Sequence, residues 1–170
     1  MSVILPGDKE LDPEPSLTKK SLRINLNENI YGTFAEIGAG QEVARHFFRV
    51  GAASGTIAKT ISAYDKNFSD NIYGGENDKR YVTEARLNKM LDHEMELLEN
   101  RLPRDQYPDK MFFTYANTVA TIDFAKKFKG HGWVGIRFQI NPNDDYNEII
   151  LHVRFKENIA RQQPVSYTHL

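Results

Sequence analysis

Two stretches late in the chain, Trp133 to Ile140 and Ile149 to Phe155, alternate apolar and polar side chains with a period of two. That period belongs to strands with one covered face and excludes a helix. Val134, Ile136, Phe138 and Ile140 share one side of the first stretch, and Ile149, Leu151, Val153 and Phe155 share one side of the second. Opposed residues of an antiparallel pair lie on the same face, so the two apolar sets must oppose each other. One set is even-numbered and the other odd, so paired positions must sum to an odd number. Pairing Asn141 with Glu148 around a turn from Pro142 to Asn147 meets this condition. It places Arg137 across from His152, and Gly135 across from Arg154.

A hairpin with one apolar side needs a partner layer, and the upstream chain supplies helices. Gln41 to Val50 is amphipathic, with Val43, Ala44, Phe47, Phe48 and Val50 on one side and Gln41, Glu42, Arg45, His46 and Arg49 on the other. Gly51 ends it, and Ser54-Gly55 is read as the start of a second helix burying Ile57, Ala58, Ile61 and Tyr64. Ser69 to Lys79 reads as a polar loop. Thr83 is the N-cap of the longest helix, which runs to about Leu102 before Pro103 and carries a stripe of Leu87, Met90, Leu91, Met95, Leu98 and Leu102. Before these, Leu22, Ile24 and Leu26 alternate with polar residues, and Ile30 to Ile37 reads as a strand closed by Gly38-Ala39-Gly40. Met111 to Tyr115 starts another strand, which Thr118 to Phe128 either continues or follows as a short helix. The expectation is an α+β fold, with helices packed on a small, largely antiparallel sheet that is incomplete at its C-terminal end.

Boundaries follow from punctuation and composition. Residues 1–21, with Pro6, Gly7, Pro13 and Pro15 among charges, read as a mobile lead-in. Residues 22–163 form one domain. Pro164-Val165-Ser166-Tyr167-Thr168-His169-Leu170 looks like a translated sequencing adapter, which marks the domain as truncated and 164–170 as an artefact tail. Truncation would leave an apolar patch uncovered, either on one side of the sheet or along the Thr83–Leu102 stripe. In 170 residues, 40% are hydrophobic and 26% charged, which suits a globular domain. The net charge of -1 offers no general field for nucleic acid or an anionic membrane. No apolar run approaches the ~20 residues of a spanning helix. The absence of cysteine excludes disulfides, thiolate metal sites and a cysteine nucleophile, and fits a cytoplasmic protein.

Four features point toward chemistry. A glycine turn at Gly38 and Gly40 that feeds a helix at Gln41 offers free N–H groups and a positive dipole end to a phosphate. The plainer reading is glycines that cap a helix and permit close packing. The run Phe34 to Gly40 resembles the first motif of S-adenosylmethionine-dependent methyltransferases, but Val43 replaces the third glycine of a dinucleotide fingerprint and two helices are expected next. Arg45 and Arg49, one turn apart, suit an anion, as do Arg137, His152 and Arg154 around Gly135. Either set also reads as a solvated face. Glu94 falls in the middle of an apolar stripe, where a carboxylate must be paired or bonded. A carboxyl group placed that way suits general acid–base work, with His152 as a second candidate, and the plainer reading is an ion pair with Arg45, Arg49 or Arg137. His93-Glu94 is no zinc-protease motif, since Leu97 stands where a second histidine is needed. No metal is implied, and no cofactor can be named.

The run Ile30 to Arg49, with Ser54 to Asp65, Tyr115 to Ala120 and Gly130 to Phe138, resembles a large, poorly characterised bacterial family whose members extend past Gln163. Labels attached to that family are nicotinate-nucleotide adenylyltransferase and TonB-dependent receptor. The first needs a His-x-Gly-His motif after its first strand, whereas this chain has Gly130-His131-Gly132-Trp133 late in its sequence. The second needs an exported membrane barrel, for which the sequence shows no repeated lipid-facing strands. The resemblance carries no catalytic residues over. Two functions are therefore expected: a cytoplasmic enzyme, or enzyme fragment, that binds a phosphorylated or nucleotide-like metabolite, and a non-catalytic domain for protein contact.

Overall fold

The computed structural model describes residues 15–75, 80–121 and 129–156. Expectations that fall on the adapter-like tail, and on 122–128, lie outside them. Helix α1 (Leu17–Asn25) starts at Ser16, whose hydroxyl accepts the Lys19 N–H, so regular structure begins earlier than Leu22. Strand β1 (Ile30–Gly38), helix α2 (Glu42–Val50) and helix α4 (Glu84–Arg101) occupy the expected stretches. Thr83 caps α4 by accepting the Arg86 N–H at 3.1 Å.

Two readings between them are corrected. Ile57–Ala63 is strand β2, entered through a 3-10 turn at Ala53–Gly55, and not a helix. Ile57, Ala58 and Ile61 fit a helical face, but Thr56, Ile57, Thr60 and Ile61 are β-branched, and pairing with β1 decides the outcome. The stretch read as a polar loop begins inside helix α3 (Lys66–Tyr73), which Asp65 caps. Its buried positions are Ser69 and Tyr73, so no apolar stripe announced it.

The sheet has the order β2-β1-β3-β4-β5, with β3 at Met111–Ala120, β4 at His131–Phe138 and β5 at Asn147–Arg154. It is mixed: β1 runs parallel to both β2 and β3, while the β3–β4 and β4–β5 pairs are antiparallel. The α+β expectation therefore stands, with a parallel half added. Among the described residues, four helices flank the sheet. On one face α4 packs Leu87, Met90 and Leu91 against Ala35, Ile37, Ala63 and Ala116, with Tyr73 of α3 in the same cluster. On the other face α1 and α2 pack against each other, and Ala44 and Phe47 cover Phe34 and Phe113. Asn25 ties the helix pair together by donating to the carbonyls of Phe47 and Gly51 at the end of α2.

The hairpin obeys the parity rule but pairs four positions away from the expected register. Phe138 faces Asn147, Arg137 faces Glu148, Trp133 faces His152 and His131 faces Arg154. Gln139 stops the ladder. Its amide accepts from Arg104 at 2.7 Å and from the Phe112 N–H at 2.9 Å, and donates to the Asp144 carbonyl at 2.7 Å. The Asn141 amide then closes a turn on the Asp144 carboxylate, and Asn143 takes a positive φ of 66°.

Candidate functional site

The glycine turn after β1 is built for packing. Gly38 has φ +75°, and a Cβ there would lie 2.3 Å from the Val119 carbonyl oxygen. At Gly40 a Cβ would lie 2.1 Å from Asn117 Oδ1. Several amides around the turn bond within the chain. Glu36, only 4% exposed, reaches under the first turn of α2 and accepts the Val43 N–H at 3.2 Å, with a further bond from Ala44. The Ala39 N–H goes to the Val119 carbonyl, and the Gln41 side chain donates to the Gly38 carbonyl. An internal carboxyl group thus lies at the positive dipole end of α2. Asn117, fully buried on β3, donates to Glu36 Oε1 at 3.2 Å and to the Gly40 carbonyl at 3.0 Å, and its Oδ1 finds no partner. Burial pushes the Glu36 carboxyl up to about 7, against the lowering effect of these donors.

The proposed arginine partners do not converge. Arg45 and Arg49 lie on the exposed side of α2, and Arg45 pairs with Glu42 at 3.5 Å. Arg137 lies on the other face of the sheet, held between Asp92 of α4 and Glu148 of β5. Gly135 leaves no room for an anion: a Cβ there would lie 2.9 Å from Leu91 and 3.0 Å from Leu87, so α4 fills the space. His152 and Arg154 stand together instead with His131 and Trp133 near the β5 edge.

Glu94 is fully buried, as its place in the stripe requires, but its partners are not the expected arginines. Lys59 of β2 brings its ammonium to 2.5 Å from Oε2, and the Tyr73 hydroxyl donates to Oε1 at 2.9 Å. Burial, and next the Glu94 charge, hold the Tyr73 phenol far above its usual range, so it keeps its proton. Thr33 is the register neighbour of Lys59 on β1. It is 3% exposed and its hydroxyl has no partner. Thr33, Lys59, Tyr31, Leu98, Leu102 and the exposed Arg101 line a cleft of about 190 Å³. Sequence reasoning missed Tyr73 and Thr33. The available signal for Thr33 was a small hydroxyl amid large apolar residues in Ile30 to Ile37. His152, on the far edge strand, is remote in the sheet order from Glu94 and its β2 partner, so the two proposed acid–base residues do not share a site.

A second, larger cavity of about 440 Å³ lies on the α2 side. Phe34, Phe47, Phe113, Tyr115, Ile136 and Phe138 are among its walls. Among the described residues, no helix is long and apolar enough to cross a membrane.

A β-α-β start, a long helix and an antiparallel hairpin on one mixed sheet define the fold shared with bacterial competence/damage-inducible proteins. The protein ComA from Klebsiella pneumoniae superposes with a TM-score of 0.65 at 12% identity, covering 90% of this chain and 88% of its own. CihA from Agrobacterium tumefaciens gives 0.61 at 12% identity, covering 93% of each chain. The competence or damage-inducible protein from Enterobacter asburiae gives 0.62 at 12% identity, covering 90% and 89%. At this identity the likeness is one of fold. No family model matches the chain, and no curated protein matches it in sequence. Neither an adenylyltransferase nor a membrane receptor is among these neighbours.

Proposed function

We propose that this domain binds a small anionic metabolite, phosphorylated or nucleotide-like, in the cleft beside Lys59, and that it does so in the cytoplasm as an enzyme or enzyme fragment. The observation that carries the reading is a partnerless, buried Thr33 hydroxyl next to an ammonium with donors to spare. Lysine has three N–H donors, and Glu94 takes the side of Lys59 that faces the core. The remaining donors, the Thr33 hydroxyl and the Arg101 guanidinium suit a phosphate or carboxylate group. At ~30 Å³ per water, the cleft volume equals roughly six waters, enough for one such group on a small body. Behind it, Glu94 accepts the hydrogen bond of the Tyr73 hydroxyl and pairs by charge with Lys59, which holds the ammonium beside the cleft.

Thermal shift with inorganic phosphate, sugar phosphates and nucleoside monophosphates tests this reading. A ligand at ten times its Kd stabilises by about 1.4 kcal/mol, which raises the melting temperature by roughly 3–5 °C. Thr33→Val and Arg101→Gln leave the Lys59–Glu94 pair intact and should abolish the shift. If no anion shifts the wild type, the reading is wrong. The alternative, a domain for protein contact, draws its support from the apolar 440 Å³ cavity and the exposed side chains beside it.

A further inference from the structure

His131 opens β4, and His152 lies on β5, on the α4 side of the sheet. The register sets Arg154 opposite His131 and Trp133 opposite His152, so the two imidazoles are diagonal neighbours across the ladder. His131 Nδ1 and His152 Nε2 face each other at 3.2 Å, with the rings nearly perpendicular at 84°. The Trp133 indole stacks on His152 at 4.5 Å and 17°, which orients that ring without using either nitrogen. We propose that His131 and His152 form a two-imidazole chelate for a divalent transition-metal ion, copper(II) before nickel(II) or zinc(II).

The geometry carries the argument. Metal–nitrogen bonds of about 2.0–2.1 Å that meet at roughly 90–105° separate two ligating nitrogens by roughly 2.9–3.3 Å. The observed separation lies in that interval, and each ring needs only to turn its lone pair toward a common point. In the neutral pair, one of the two facing nitrogens carries the shared hydrogen. On metal binding that proton moves to the far nitrogen of its own ring, and both facing lone pairs go to the metal. No net proton or electron is exchanged. Burial, the neighbouring His152 and then Arg154 lower the pKa of His131, which favours its neutral, ligating form. Among the described residues no third histidine or carboxylate joins the pair, so water completes the coordination shell and open positions remain. The ion preference follows the general affinity order for imidazole ligands. Arg154 works against a dication at this place, and this sets the sign of one test.

Trp133 is the chain's single tryptophan, so its fluorescence reports on this corner alone. Copper(II) titrated into the full chain at neutral pH should quench it saturably, by more than half, with a micromolar midpoint and one equivalent bound. His131→Asn should raise the midpoint at least tenfold, and Arg154→Gln should lower it several-fold. Acidification to pH 5 should restore the emission. Zinc(II), which does not quench, should raise the melting temperature of the wild type, a readout that does not depend on any variant folding. A quench that does not saturate, a midpoint unchanged in folded His131→Asn, or copper bound with Trp133 emission unaltered would each overturn the proposal. So would the absence of any zinc-dependent rise in melting temperature.

Discussion

Glu36 shows how one buried carboxyl group can make the stability of a domain depend on pH. Burial raises its pKa from 4.5 to about 7 despite the donors from Val43, Ala44 and Asn117. The folded chain therefore holds this proton more tightly than the unfolded chain does. Its contribution is fully present below pH 4.5 and is lost as the pH rises through about 7. At about 1.4 kcal/mol per unit, the span corresponds to roughly 3 kcal/mol. Urea denaturation of the wild type between pH 5 and pH 8 should show stability falling by an amount of this order, while Glu36→Gln should lose that part of the slope and gain on the wild type at pH 8. Parallel profiles for the two proteins would show that Glu36 is not the titrating group. The residue was visible in the sequence as the one acid in Phe34-Ala35-Glu36-Ile37, just as Asn117 is the one amide in Tyr115-Ala116-Asn117. What the sequence withheld was that these strands are neighbours, in a register that sets Glu36 beside Asn117.

At the scale of elements, local signals succeeded where one side-chain pattern dominated. The α2 and α4 helices and the alternating strands β4 and β5 were legible because burial on one face imposes a period. Helix α3 was not, since its buried side includes Ser69, and the fully buried Arg86 of α4 donates to the Ser69 carbonyl and pairs with Asp70. The hairpin illustrates the division. Parity followed from the side chains, whereas the register depended on Gln139, whose three amide bonds end the ladder and hold the loop 139–146. Gln139 is 7% exposed, so Gln139→Ala would strand the Phe112 N–H in the interior and take one acceptor from Arg104, which keeps the Tyr146 hydroxyl. A loss of about 2–3 kcal/mol in chemical denaturation is expected. Gln139→Glu retains the acceptor and faces the Arg104 guanidinium, so it should recover part of that loss. Equal stability for wild type and Gln139→Ala would remove this residue as the register's anchor.

At the scale of the whole molecule, the two faces of the sheet are covered unequally. The face that carries Arg137 and Gly135 was expected to be polar and open, yet α4 packs on it so closely that a Cβ at Gly135 would press on the Leu91 and Leu87 side chains. The apolar face of the hairpin is the more open one. Helix α2 reaches Phe34 and Phe113, and beyond them Ile149 and Leu151 of β5 are 48% and 45% exposed, with Ile140 at 62%. These three side chains stand exposed on the sheet, whereas the stripe of α4 is buried. Parity placed these side chains together, but no local signal stated which face a helix would cover, because that depends on the direction in which each crossover leaves its strand. The neighbouring 440 Å³ cavity makes this face a site for an apolar probe. Anilinonaphthalene sulfonate should therefore bind the native chain with enhanced emission, outside any unfolding transition. The double variant Ile149→Lys with Leu151→Lys puts two ammonium groups on the patch at positions already half in water, so stability should change by less than about 1 kcal/mol. Its native-state emission should fall several-fold. Emission that survives the double substitution, at unchanged stability, would place the probe elsewhere and leave this face without a claim to a ligand or a protein partner.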